Sequence, residues 1–272
     1  MSNTINASLT TKALIQATLA SAAAVAPPLE RIFRLAPAPI ASRPSLTVEH
    51  ANCTATPAMV TDPTDWESGN STVAAAEVVM HSYAKCYGLS NADVQSGSTL
   101  ASIAGKAAED FVLELLDVIL APLTTANYGA AAVTASSDVF GQADFDTLSA
   151  SITSRNKAVV LSTPYAQKVK GPWIPATGLP VYEIGRWTGA GSNVVGFVAD
   201  PSALVVIHGK PSSAATSRGP MSLETFTLPG IGIPCELAAW ELPGTRSLRV
   251  ALTVHLGVAV GIAGSLKLLK SQ

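Results

Sequence analysis

The stretch HSYAKCYGLSNADVQSGSTLASIAGKAAEDFV, His81 to Val112, changes its hydrophobic period near Ser90. On its N-terminal side Val78, Met80, Ala84 and Cys86 fall on one face and Glu77, His81, Tyr83 and Lys85 on the other, the two-residue repeat of a strand. On its C-terminal side Leu100, Ile103, Ala107, Phe111, Leu115, Val118 and Ile119 recur at spacings of three and four, the repeat of an amphipathic helix. Lys106, Glu109, Asp110, Glu114 and Asp117 fall mostly on its other faces. Asn91 or Ser98 is the candidate cap, Pro122 ends or kinks the helix, and Tyr128-Gly129 closes the segment. About 25 residues at ~1.5 Å each make a rod roughly 38 Å long. A long strand feeding directly into a long helix makes this a chain of the α+β class.

Upstream, residues 45–87 read as one long hairpin. The outgoing limb is SLTVEHANCTATPAMV, the tip is TDPTDWESGN, dense in turn-forming residues, and the return limb runs into His81. Cys53 and Cys86 are equidistant from the Gly69-Asn70 turn, so a regular hairpin about that turn sets them face to face. An isolated hairpin of this length is marginally stable in water and needs a surface to lie on. Residues 1–44 read as an arm: a helix at Lys12 to Ala26, a stop at Pro27-Pro28, then an extended APAPIASRP. Lys12, Arg31, Arg34 and Arg43 against Glu30 give the arm a local excess of positive charge. Such a segment has little core of its own, and a neighbouring subunit is expected to hold it down.

Downstream, residues 133–231 read as an α/β unit. Asp144 to Thr153 is a short helix, KAVVLS (157–162) a buried strand, and Leu179 to Trp187 another strand. After Gly196 to Ala199, Asp200-Pro201 reads as a cap and first helical proline, with SALVVIHG (202–209) as a short apolar helix. Residues 209–230 are loop-rich, and from Ile231 the chain returns to strands: CELAAWEL, a Pro243-Gly244 turn, then SLRVALTVHLGVAV.

The balance of 17 Lys and Arg against 19 Asp and Glu excludes a basic nucleic-acid binder and an acidic tail protein. Only 13% of the 272 residues are charged, against about 25% in ordinary soluble domains. With so little charge, much of the surface is expected to be covered, by lipid or by protein. Two segments bear on lipid. Lys12 to Pro27 has the cation, apolar run and small residues of a secretory signal, but reads equally as an alanine-rich helix retained in the mature chain. Val250 to Leu266 is 17 residues long and largely apolar, at the lower edge of a membrane span. His255, three glycines and the alternation of Val250, Leu252, Val254 and Leu256 make it two buried strands joined by a bend instead. Protein partners, and so an assembly, remain.

Nothing has the spacing of a catalytic centre. No GxSxG is present, Gly105-Lys106 and Gly209-Lys210 lack the glycine spacing of a phosphate loop, and TGAGSNVVG (188–196) places its third glycine too late for a dinucleotide loop. Three cysteines without CxxC and four scattered histidines define neither a disulfide framework nor a metal site. No catalytic, cofactor or metal residue is expected. Trp187 and Trp240 read as core or interface anchors.

The order of the pieces is telling: arm, long hairpin, long helix, α/β unit, strand-rich C-terminus. With HSYAKCYGLSNADVQSGSTLASIAGKAAEDFV, VYEIGRW (181–187), GFVADPSALVVIHG (196–209) and TRSLRVALTVHLGVAVG (245–261), the chain resembles the major capsid proteins of tailed bacteriophages, of the Hong Kong 97 type. The resemblance spans nearly everything after residue 44 and is one of pattern and order. It implies an N-terminal arm (1–44), an extended E-loop hairpin (45–87), a peripheral domain with a long spine helix (88–132), an α/β axial domain (133–231), and C-terminal strands returning to the peripheral domain (232–272). It implies a structural protein that assembles as pentamers and hexamers into an icosahedral shell around double-stranded DNA, in the virion, built in the host bacterial cytoplasm. Subunit contacts are expected at Trp66 and Glu67 in the hairpin tip, Val78 and Met80 on the return limb, Arg31 and Arg34 in the arm, Trp187 and Arg246. Some such shells weld neighbours by a Lys-Asn bond with a glutamate as base, the lysine lying in the E-loop. Here the tip has no lysine and Lys85 lies at the base, so no welding and no enzyme are expected. Scaffolding, portal and decoration roles are expected of separate proteins. Two rival readings are an encapsulin-like compartment, told apart by protein cargo instead of nucleic acid, and a secreted or membrane-anchored enzyme, told apart by dependence on detergent.

Overall fold

The computed structural model describes residues 7–38, 45–54, 70–169, 179–185, 193–210, 222–242 and 247–272. In chain order the first elements are α1 (Ala7–Val25), β1 (Arg34–Pro37), β2 (Ser45–Thr54), β3 (Asn70–Val79), β4 (His81–Leu89), α2 (Asn91–Gln95) and α3 (Gly97–Leu120). After them come α4 (Thr125–Tyr128), β5 (Val133–Thr134), α5 (Gln142–Ala150), β6 (Ala158–Ser162), α6 (Thr163–Val169) and β7 (Val181–Ile184). The last are β8 (Val194–Ala199), β9 (Leu204–Gly209), β10 (Ser222–Thr227), β11 (Pro234–Leu242), β12 (Ser247–Val260) and β13 (Leu266–Lys270).

The period switch near Ser90 is where strand gives way to helix. Ser90 caps α2 through a reciprocal box with Asp93, and α3 follows after Ser96. Leu100, Ala104, Ala108, Phe111, Leu115 and Ile119 of α3 are buried. Gly129, at φ 79°, ends the following turn. Helix α1 packs along α3 through small residues: Leu14, Thr18 and Ala22, one turn apart, are fully buried. Gly105 faces Ser21 of α1: a methyl there would sit 2.7 Å from Ser21 Oγ, which would have to turn aside.

Strand β12 organises the first sheet. It pairs antiparallel with β11, β4 and β9; β1 adds parallel to β9, and β10 antiparallel to β11. Leu204, Val206, Leu237, Val250, Leu252, Val254 and Leu256 form its helix-side face, in one core with α1 and α3. The second sheet has the order β5-β13-β8-β6-β7. Ala158 and Val160 of β6 join the main core, and Val159 and Leu161 join a second one with Phe145, Leu148 and Tyr165. Covered on both faces, β6 reads as an unbroken apolar run.

Three expectations are corrected. SALVVIHG is strand β9, not a helix: Leu204 and Val206 point into one core, Val205 and Ile207 into another. A strand buried on both faces has no alternation to distinguish it from a short buried helix. Asp200 instead ties the β8–β9 turn, accepting from Ser202 N (2.9 Å), Ser202 Oγ (2.8 Å) and Ser154 Oγ. Burial alone would raise the Asp200 carboxyl; these hydrogen bonds outweigh it and hold it below the ordinary range.

The hairpin is shorter and differently centred than the Gly69-Asn70 turn suggested. Ser45 pairs with Val79 and Thr54 with Asn70, so its axis passes through residue 62, and Cys53 stands opposite Ser71. Cys86 lies in β4 opposite Ala251, so the two cysteines are not cross-strand partners. Past Met80 the return limb leaves the hairpin and becomes a body strand.

The arm is not left to a neighbour. Besides α1, Leu29, Ile32 and Phe33 are each 1% exposed, and Phe33 stacks on Phe197 with ring centroids 5.5 Å apart. Leu29 N donates to Gly230 O and Arg34 N to Pro201 O. Glu30, Arg31 and Arg34, interleaved with the apolar triplet, disguise it as polar in sequence. Burying each such side chain contributes about 1.5–3 kcal/mol.

The strands of 232–272 are divided between the sheets: β11 and β12 lie in the first and β13 pairs with β8 and β5 in the second. The expected bend in Val250 to Leu266 falls at 261–265, after one continuous 14-residue strand. Among the described residues no helix is long and apolar enough to cross a membrane.

Candidate assembly surfaces

The hairpin base is built where β3 hands over to β4. Val78 and Met80 are 1% and 6% exposed, packed with Val205, Ile207 and Ala259 on the side of the first sheet away from α3. They were expected at a subunit interface; they are core of their own chain, because the limb crosses its own sheet before it leaves. Between them Val79 is 51% exposed. The Val78-Val79 doublet, which breaks the alternation, is the signal that reveals it.

Three strands of the first sheet have an open edge. Among the described residues β4 has β12 as its lateral partner, β10 has β11 and β1 has β9, so the outer edge of each carries unpaired backbone groups. On β10 Leu223 is 43% exposed. On β11, Cys235, Leu237 and Ala239 join the helix-side core, which turns Glu236 and Trp240 to the opposite face. There Glu236 Oε1 and Trp240 Nε1 are buried without a hydrogen-bond partner.

Charge on these surfaces is sparse. Lys85 Nζ donates to Glu114 Oε1 at 2.6 Å, tying β4 to α3. Lys106 pairs with Glu109 and Asp110 along α3. Arg31 and Arg34 are exposed, and Arg34 lines a cleft of about 700 Å³ with Glu30, Asn156, Asp200 and Ser202. Trp66, Glu67, Trp187 and Arg246 lie outside the described residues. Burial pushes the Cys235 thiol up to about 12, while Cys86 is exposed. Among the described residues no three His, Cys, Asp or Glu side chains gather in a group that could hold a metal ion.

No protein-family model and no curated protein matches the sequence. Solved structures do match in fold. The capsid of an empty GTA particle aligns over 90% of this chain and 89% of its own at 12% identity, with a TM-score of 0.56. The Gordonia phage Cozz structure aligns over 91% and 87% at 9% identity, with a TM-score of 0.57. The virus-like particle from Pyrococcus furiosus aligns over 95% and 98% at 10% identity, with a TM-score of 0.59. The chain therefore has the mixed helix-and-sheet fold of the phage capsid proteins, along nearly its whole length.

Proposed function

We propose that this chain is the structural subunit of a shell: a major capsid protein that closes as pentamers and hexamers into an icosahedral particle around double-stranded DNA. The observation that carries the reading is a two-stranded hairpin, β2–β3, leaving a body whose fold is that of capsid proteins. Two ten-residue strands without a third are marginal alone, and a neighbouring copy supplies the missing surface. Val79 and the open edges of β4 and β10 are the points on the body where copies meet. Each contact is modest, and several per subunit combine through effective concentration. The role is mechanical, with no catalytic step. Arg31 and Arg34, exposed and on one arm, suit weak, sequence-blind contact with phosphate. The particle is a virion component assembled in the bacterial cytoplasm.

A second reading is a compartment holding protein cargo; the match to the Pyrococcus virus-like particle, whose chain is covered almost end to end, supports a shell and does not choose between the two contents. Light scattering and negative-stain microscopy of the expressed protein test both. Closed particles far heavier than one 27.8 kDa chain are expected; a stable monomer at high concentration ends both readings. Nuclease-protected DNA in the particles supports the capsid, and protein cargo without DNA the compartment.

A further inference from the structure

Every residue of a strand has two lateral positions, and along β12 the position held by β4 ends at the pair Leu256–His81. The next residue of β12 is Gly257, and the next residue back along the limb is Met80. There the limb stops pairing and rises over the face of the sheet away from α3. A Cβ on Gly257 would lie 2.7 Å from Val78 Cγ1, 2.7 Å from the Val79 carbonyl oxygen and 3.0 Å from Met80 Sδ. One of those neighbours is backbone and cannot rotate aside. Gly209, beside it, deepens the depression: a Cβ there would meet His255 Cδ2 at 2.8 Å and Met80 Cε at 3.6 Å. Val205, Ile207 and Ala259 form the apolar floor, and Val78 and Met80 are almost wholly buried on it.

We infer that Gly257 and Gly209 form a saddle that fixes the direction in which the β2–β3 hairpin leaves the body, with Val78 and Met80 as the two side chains seated in it. On its return side the hairpin joins the body at Val79–His81, and a crossing without a seat leaves that side free to pivot. Side chains pack in discrete arrangements, not a continuum, so the saddle converts a pivot into one angle. That angle decides where the hairpin meets a neighbour. Its consequence for shell geometry rests on the shell reading above; the seating itself does not.

Orientation is measured in unassembled subunits by the distance between two nitroxides, one on the hairpin at Ala74→Cys and one on the body at Val139→Cys, where the side chain is 67% exposed. Cys53→Ser and Cys86→Ser clear the background, and Cys235 is too buried to label. The parent is expected to give one narrow distance distribution. Gly257→Ala, which lifts the limb off its seat, is expected to broaden or shift it. Should Gly257→Ala disturb β12 itself, Met80→Ala provides the same test from the limb side and leaves β12 intact. Amide exchange in α3 equal to that of the parent, within a factor of roughly two, identifies the variants whose body is folded. A broad distribution in the parent, or a parent-like one in folded Met80→Ala, overturns the inference. In particles, the unseated variants are expected to give mixed sizes where the parent gives one. If the parent forms no particle, the shell reading fails while the distance result still judges the saddle.

Discussion

His208 shows how one half-buried side chain links this fold to pH. It lies in β9 opposite Leu256, with Pro37 of β1 as its other register partner. Burial holds its imidazole below the ordinary 6.5. A group whose folded value is depressed binds its proton more readily when unfolded. Its contribution is therefore fully present above about 6.5 and is lost as pH falls from there through the lower folded value. Melting temperature is expected to drop between pH 7 and pH 5, and His208→Gln, which cannot gain a charge, should flatten part of that slope. Equal slopes in the two proteins would mean that His208 is not the source.

At the scale of elements, the arm decides whether the first forty residues belong to the body or to an assembly. Phe33 is 1% exposed, stacked on Phe197 of β8, and flanked by the backbone bonds of Leu29 and Arg34. Phe33→Ala is expected to cost about 3–5 kcal/mol in urea unfolding of the dissociated subunit. A loss below about 1 kcal/mol would return the arm to the role of a segment that only a neighbour stabilises. The arm was hard to read because its helix is made of alanines and its anchoring triplet is interleaved with charges. Alternation could not separate β9 from a helix, since Val205 and Ile207 are covered as well as Leu204 and Val206. The return limb was read as continuous because nothing in its pattern marks Met80; the residue it lies against where the pairing ends, Gly257, is far away in the chain. What was legible had a clear period in residue type: α3, with its stripe from Leu100 to Ile119, and β12, where Val250, Leu252, Val254 and Leu256 alternate with the smaller or polar Ala251, Thr253 and His255 although Ala251 and Thr253 are covered as well. The capsid-type order of elements was legible for the same reason. Of the surfaces, Arg31 and Arg34 are exposed, whereas Val78 and Met80 are not, because strand alternation tells two faces apart without telling which one the chain itself will cover.

For the whole molecule, the low charge content becomes a statement about how copies hold together. With 13% charged residues the chain carries about half the charge of an ordinary soluble domain, and Lys85 and Lys106 are engaged within the chain. Exposed ion pairs contribute little in any case, on the order of 0–1 kcal/mol each. Of the four exposed large apolar side chains among the described residues, Val79 at 51% and Leu223 at 43% lie at the hairpin base and on an open strand edge. Association should then be driven by apolar burial and backbone pairing, and weak self-repulsion lets copies pack closely. Raising salt from about 0.1 M to about 1 M shortens the screening length from ~10 Å to ~3 Å and should leave assembled mass by light scattering unchanged or increased. Cooling should loosen the particles, since apolar attraction weakens in the cold. Val79→Asp, which places an uncompensated charge at the hairpin base, should prevent assembly while shifting the subunit's own stability by no more than about 0.5 kcal/mol. Particles that dissolve in high salt, or that form normally with Val79→Asp, would place the forces between copies in charge pairs and outside this patch.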